Sequence, residues 1–148
     1  MSLPPPVCTT RRVLAAGGAL VLLTGCGTGS VEVPVPRPPA AIAAVCAHLR
    51  DRLPAKVHGR SRRATSPKSS LVTAWGSPAI VVRCGVPRPT ALKPTSQLVV
   101  INGVNWLAVP PDRPVTFTAV GRRAYIEVTV PGAYEPPGDV LIELADPI

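Results

Sequence analysis

Aromatic side chains are scarce in this 148-residue chain: two tryptophans, two tyrosines and one phenylalanine. So few rings cannot interleave with basic residues as a base-stacking platform, which argues against nucleic acid as a partner. Acids are also scarce, with eight Asp and Glu against sixteen Lys and Arg, for a net charge of +8. Carboxylate-pair hydrolysis therefore has few candidates, and Glu127 with Glu143 would meet only through the fold. Histidine is limited to His48 and His58. Gly-x-Ser-x-Gly, a phosphate-binding loop and His-Glu-x-x-His are all missing. Cys-x-x-Cys spacing is missing too, so thioredoxin-like redox chemistry is not indicated. His48 beside Cys46 is too little for a metal site, and no cofactor is implied. No apolar run reaches the ~20 residues a membrane-spanning helix needs.

The longest uncharged run, Val13 to Leu23, has the length of a signal-peptide core and follows the positive pair Arg11-Arg12. It ends in Leu23-Thr24-Gly25-Cys26, which resembles the bacterial lipobox. That resemblance implies cleavage before Cys26, a diacylglycerol on its thiol and, with it, palmitate-type acylation. Residues 1–25 then form a lipoprotein signal peptide. Two acyl chains, at ~0.8 kcal/mol per buried methylene, hold a protein stably where one is marginal. The expected location is the outer face of the cytoplasmic membrane. Thr10 to Leu14 loosely resembles a twin-arginine export motif, but ordinary signal peptides also carry paired arginines, so the export route stays open.

Removing residues 1–25 discards Cys8 and two arginines and leaves a basic chain sized for one domain. With Cys26 lipidated, Cys46 and Cys84 remain. In an oxidising compartment the pair reads as a disulfide, the alternative being two free buried thiols. Residues 26–39, rich in Gly and then Pro, read as a tether in extended geometry reaching at most about 40 Å. Residues 40–148 read as a single globular domain.

Ala40 to Leu53 predicts a helix with Ile42, Val45, Cys46, Leu49 and Leu53 on one face. Lys56 to Ser70 lacks periodicity and acids, so it reads as a mobile basic loop. Its Lys56, Arg60, Arg62, Arg63 and Lys68 are candidates for binding an anionic surface, at ~1 kcal/mol for each cation near a bilayer. Leu71 to Pro78 reads as a turn with a half-buried Trp75. Ala79 to Cys84 predicts a central strand. Gln97–Ile101 and Val104–Val109 flank Asn102-Gly103, a hairpin signal, because a type I′ turn needs positive φ at both central residues. Val115–Val120 and Ala124–Val130 predict a second hairpin. For Val140 to Ala145 a helix behind Asp139 and a final strand are both open. The expected fold is α+β: a mostly antiparallel sheet of about five strands, one N-terminal helix packed on it, and one disulfide.

The order of motifs carries a further likeness. Cys46 on its helix, Ser66-Pro67, Ala74-Trp75-Gly76, Ile80 to Gly85, Asn102 to Trp106 and Glu127 to Pro131 with Tyr134 follow the lipobox. Together they resemble an actinobacterial family of small exported proteins, often lipoproteins, catalogued as a domain of unknown function. The resemblance implies a cell-envelope location, supports the Cys46–Cys84 pair and carries no activity. The expectation is a non-enzymatic, lipid-anchored binding or accessory module, with envelope proteins or anionic wall polymers as partners. Trp75 and Trp106 are its second candidate surface. The alternative is an envelope hydrolase or transferase using acids around Glu127, with Asp139 or His48 converging on a pocket.

Overall fold

Alternation along the aliphatic runs decides which side of each strand is buried. The computed structural model describes residues 29–112 and 115–148. Arg11-Arg12, the apolar run and Cys26 lie outside the described residues. The first element is β1 (Val31–Glu32), followed by α1 (Ala40–Arg52). The polar middle of the chain forms β2 (Lys56–Val57), β3 (Arg60–Arg63), β4 (Thr65–Ser66) and β5 (Val72–Trp75). Then come β6 (Ile80–Val86), β7 (Val99–Ile101), β8 (Val104–Val109), β9 (Thr116–Val120) and β10 (Tyr125–Thr129). A 3-10 turn at Gly132–Tyr134 precedes α2 (Pro137–Ala145).

The main sheet has the order β2-β3-β5-β6-β10-β9-β8-β7, and every neighbouring pair is antiparallel. β1 and β4 form a separate parallel pair. The expected central strand is β6, buried on both faces. Ile80, Val82 and Cys84 enter the main core, while Val81 joins Val33, Val72 and Ala74 on the opposite face. The Asn102-Gly103 turn joins β7 to β8 with φ of 47° and 75°, as a type I′ turn requires. The second hairpin joins β9 to β10.

The two edge strands, β2 and β7, both touch α2. The sheet therefore curls until its edges face each other across that helix. Val140, Leu141, Leu144 and Ala145 are buried at helical spacing and fill the seam. Leu141 and Leu144 are almost wholly enclosed, each a gain of roughly 1.5–3 kcal/mol. Glu143 clamps the seam from outside, its two carboxylate oxygens accepting the backbone N–H of His58 at 3.1 and 3.0 Å. α1 packs against β6, and Cys46 and Cys84 are joined by a disulfide with Cα atoms 5.5 Å apart. Leu53 turns extended ahead of Pro54 and ends α1.

Several expectations need correction. The sheet has eight strands, not about five. All five expected strands are present, and β2, β3 and β5 are added to them. Sheet pairing uses backbone groups, so the Arg-rich β3, without an apolar pattern, still joins the ladder between β2 and β5. There are two helices among the described residues, and the one most fully built into the core is C-terminal rather than N-terminal. The Pro-rich segment is extended but not a free tether. Val31 and Val33 donate to Ala64 O and Ser66 O, Arg83 donates to Pro34 O, and Val33 is buried.

Candidate functional site

Lys56 to Ser70 is not a loop, yet it builds the most basic concavity of the domain. β3 pairs with β5 at Arg62↔Trp75 and Arg63↔Ala74. Thr65 and Ser66 then turn away to pair with β1. The divergence leaves a cleft of about 510 Å³ beside Val72 and Thr73. Arg50, Arg62, Arg63 and Lys68 line it, with Thr65, Ser69, Ser70 and Thr73 as hydroxyl donors and acceptors. Among the described residues, no acid or histidine contributes to its wall. Three of the predicted cations thus share one site, joined by Arg50, which the sequence presents only as a cation near a helix end. Ser69-Ser70 beside the charge cluster is the signal in the sequence that marks this cleft.

The four cations are not equivalent. Arg62 donates to the carbonyls of Arg50, Leu53 and Pro54, the free acceptors at the end of α1. Its guanidinium also lies 5.8 Å from the ring centre of Trp75. Arg63 donates to Gly76 O at 3.1 Å and to Gly29 O. Both arginines therefore hold the fold together. Arg50 and Lys68 form no ion pair among the described residues, where Arg83–Glu127 at 2.8 Å is the ion pair present. Lys56 and Arg60 do not join the cleft. Lys56 is exposed on an edge strand, and Arg60 lies 5.9 Å over Tyr134.

Trp75 and Trp106 are not a partner surface. Both are fully buried, because each occupies an inward position of its strand. Trp75 Nε1 donates to Pro54 O at 3.1 Å, whereas Trp106 Nε1 has no partner among the described residues. Nor do the acids converge. Glu127 is paired with Arg83 on the outer face of the sheet, and Glu143 is spent on His58 N–H. Asp139 lies in the first turn of α2, and His48 is exposed on α1. None of these four lines the clefts of the described residues.

A family model described as "Protein of unknown function (DUF3515)" matches residues 7–148. The chain belongs to that family. The match takes in the N-terminal apolar run and Cys26 as well as every element of the described domain. No curated protein and no solved structure matches the chain. Membership carries no activity to these residues, so the basic cleft has to be read from its own chemistry.

Proposed function

We propose that this DUF3515 protein is a lipid-anchored, non-enzymatic binding module of the cell envelope, held with its basic cleft at the membrane surface. The anchor is Cys26 of Leu23-Thr24-Gly25-Cys26. The observation that carries the reading is the bond from Arg63 to the carbonyl of Gly29. Two residues lie between Gly29 and Cys26, three Cα–Cα steps that span at most about 11 Å. A lipidated Cys26 would therefore bring Arg63 and its cleft close to the headgroups, where the longer free tether would have lifted them away. Arg50 and Lys68, unpaired by any acid among the described residues, would then face anionic lipid or wall polymer and gain ~1 kcal/mol each.

The test has two readouts on the full chain expressed in its native membrane. Intact mass of the extracted protein should show Cys26 as the first residue, carrying diacylglycerol, and Cys26→Ser should lose that mass. A photoreactive residue at Lys68 should crosslink an anionic lipid or wall polymer. An unlipidated protein with its N-terminus elsewhere would overturn the anchor. No crosslinked partner, together with turnover of an envelope substrate, would move the reading to a hydrolase or transferase.

A further inference from the structure

A second cleft, of about 610 Å³, opens where the start of α1 meets the β9–β10 turn. Its size lies within the roughly 300–1,000 Å³ of small-molecule sites. Two kinds of surface meet in it. Arg37, Arg122 and Arg123 supply three guanidinium groups, and no acid among the described residues lines the wall. Pro38, Ile42, Val86, Pro87 and Ala124 supply an apolar floor, with Tyr125 at its side. The sequence scatters these residues over three segments, and only the fold assembles them.

The donors are disposed for an anion. Arg122 is steadied by a bond from Nη2 to Gly103 O at 3.1 Å, which leaves its other N–H groups free. Arg37 and Arg123 make no ion pair among the described residues. Arg88 donates to the Tyr125 hydroxyl at 3.3 Å, so the tyrosine's own proton is available to an acceptor in the cleft. α1 begins here without a side-chain cap and without an acid in its first turn, which adds a positive field from the same side. The floor is built closely. Gly85 has φ +83°, and the Pro38 ring lies 2.7 Å from where a Cβ would stand. Only glycine allows the N-terminal segment to seat this deeply.

We propose that this cleft binds an amphiphilic phosphate, with the phosphate among Arg37, Arg122 and Arg123 and the first carbons of its chain on the Pro38–Ile42–Val86 floor. Guanidinium groups match phosphate oxygens in fork geometry, which three of them on one rim can exploit. A free phosphate would leave the floor wet, and an uncharged alkyl chain would leave the guanidinium groups unanswered. The molecule that uses both surfaces carries an anionic head on a hydrocarbon tail. This site differs from the Arg50–Lys68 cleft, whose lining carries the hydroxyl groups of Thr65, Ser69, Ser70 and Thr73. It also stands independently of Cys26, since nothing in it depends on lipidation.

The test uses the full chain in nonionic maltoside detergent, with methyl groups of Ile42 and Val86 observed by NMR. The probes are hexyl phosphate, inorganic phosphate and hexanol. Hexyl phosphate should shift both methyls saturably and bind at least tenfold more tightly than either other probe. Each further methylene that enters the cleft should tighten binding by up to about fourfold. Arg37→Gln with Arg123→Gln should weaken hexyl phosphate at least tenfold while the buried methyls of Ile80 and Val128 stay in place, which shows the fold intact. Equal binding of inorganic phosphate would make this a plain anion site and overturn the proposal. Equal binding of hexanol, or no loss in the double variant, would overturn it as well. Any of these results leaves the Cys26 anchor standing, so the two proposals fail separately.

Discussion

Replacing Arg62 by Met should destabilise the protein without first weakening its contact with an anionic surface. Arg62 serves three carbonyls at the end of α1. The side chain is largely exposed, so water replaces it at those acceptors once it is gone. Each bond is therefore set low, at ~0.5–1 kcal/mol. The stacking of guanidinium on Trp75 adds about 0.5–1 kcal/mol. The favourable placement of a cation at a helix C-terminus overlaps with the hydrogen bonds and is not counted again. The expected loss is about 2–4 kcal/mol, read from urea denaturation of the full chain as a lower midpoint at unchanged slope. Arg62→Lys should recover less than half, because one ammonium cannot span three carbonyls. Lys56→Met, on the exposed edge strand, should stay within about 0.5 kcal/mol of the parent. An Arg62→Met midpoint within that same margin, combined with weaker binding to anionic vesicles, would refute the structural assignment and make Arg62 a free binding cation.

Three further outcomes are expected. Reducing Cys46–Cys84, which are 38 residues apart, should cost about 4 kcal/mol through the loop-entropy term, measured as the difference between oxidised and reduced denaturation curves. Trp75→Phe should cost about 1 kcal/mol more than Trp106→Phe, because only Trp75 gives up a buried N–H bond, while Trp106 Nε1 has none to lose. Arg50→Gln with Lys68→Gln should leave the urea midpoint within about 0.5 kcal/mol of the parent. The same pair should lower the preference of the full chain for phosphatidylglycerol over phosphatidylcholine vesicles by about 30-fold, at ~1 kcal/mol for each cation. Taking the ratio of the two vesicle types cancels any contribution from the N-terminal apolar run.

The features legible in the sequence are those whose cause is local. Asn102-Gly103 specifies its turn because few other residues adopt positive φ at both positions. The helix from Ala40 and the five aliphatic strands follow from the spacing of apolar side chains. The Cys46–Cys84 pair is legible only on the expectation that Cys8 is cleaved away and Cys26 lipidated, and the disulfide itself is present in the fold. Three cations of the first cleft, Arg62, Arg63 and Lys68, are legible as candidates for an anionic surface, whereas Arg50 joins them only through the fold. What could not be read depends on long-range partners. Arg60–Arg63 becomes a strand because the backbone of β5 is there to pair with it. Arg62 and Arg63 look like free surface charges until the carbonyls of α1, Gly76 and Gly29 come within reach. The Val140–Ala145 segment suited helix and strand alike until the curled sheet left a seam for a helix to fill. Side-chain pattern and turn chemistry alone thus determined the central strands and the first helix. Tertiary structure decided the edges of the sheet, which cations are spent on the fold, and that Arg37, Arg122 and Arg123 share a cleft. Backbone pairing and charge pairing depend on which distant groups arrive, and no local pattern records that.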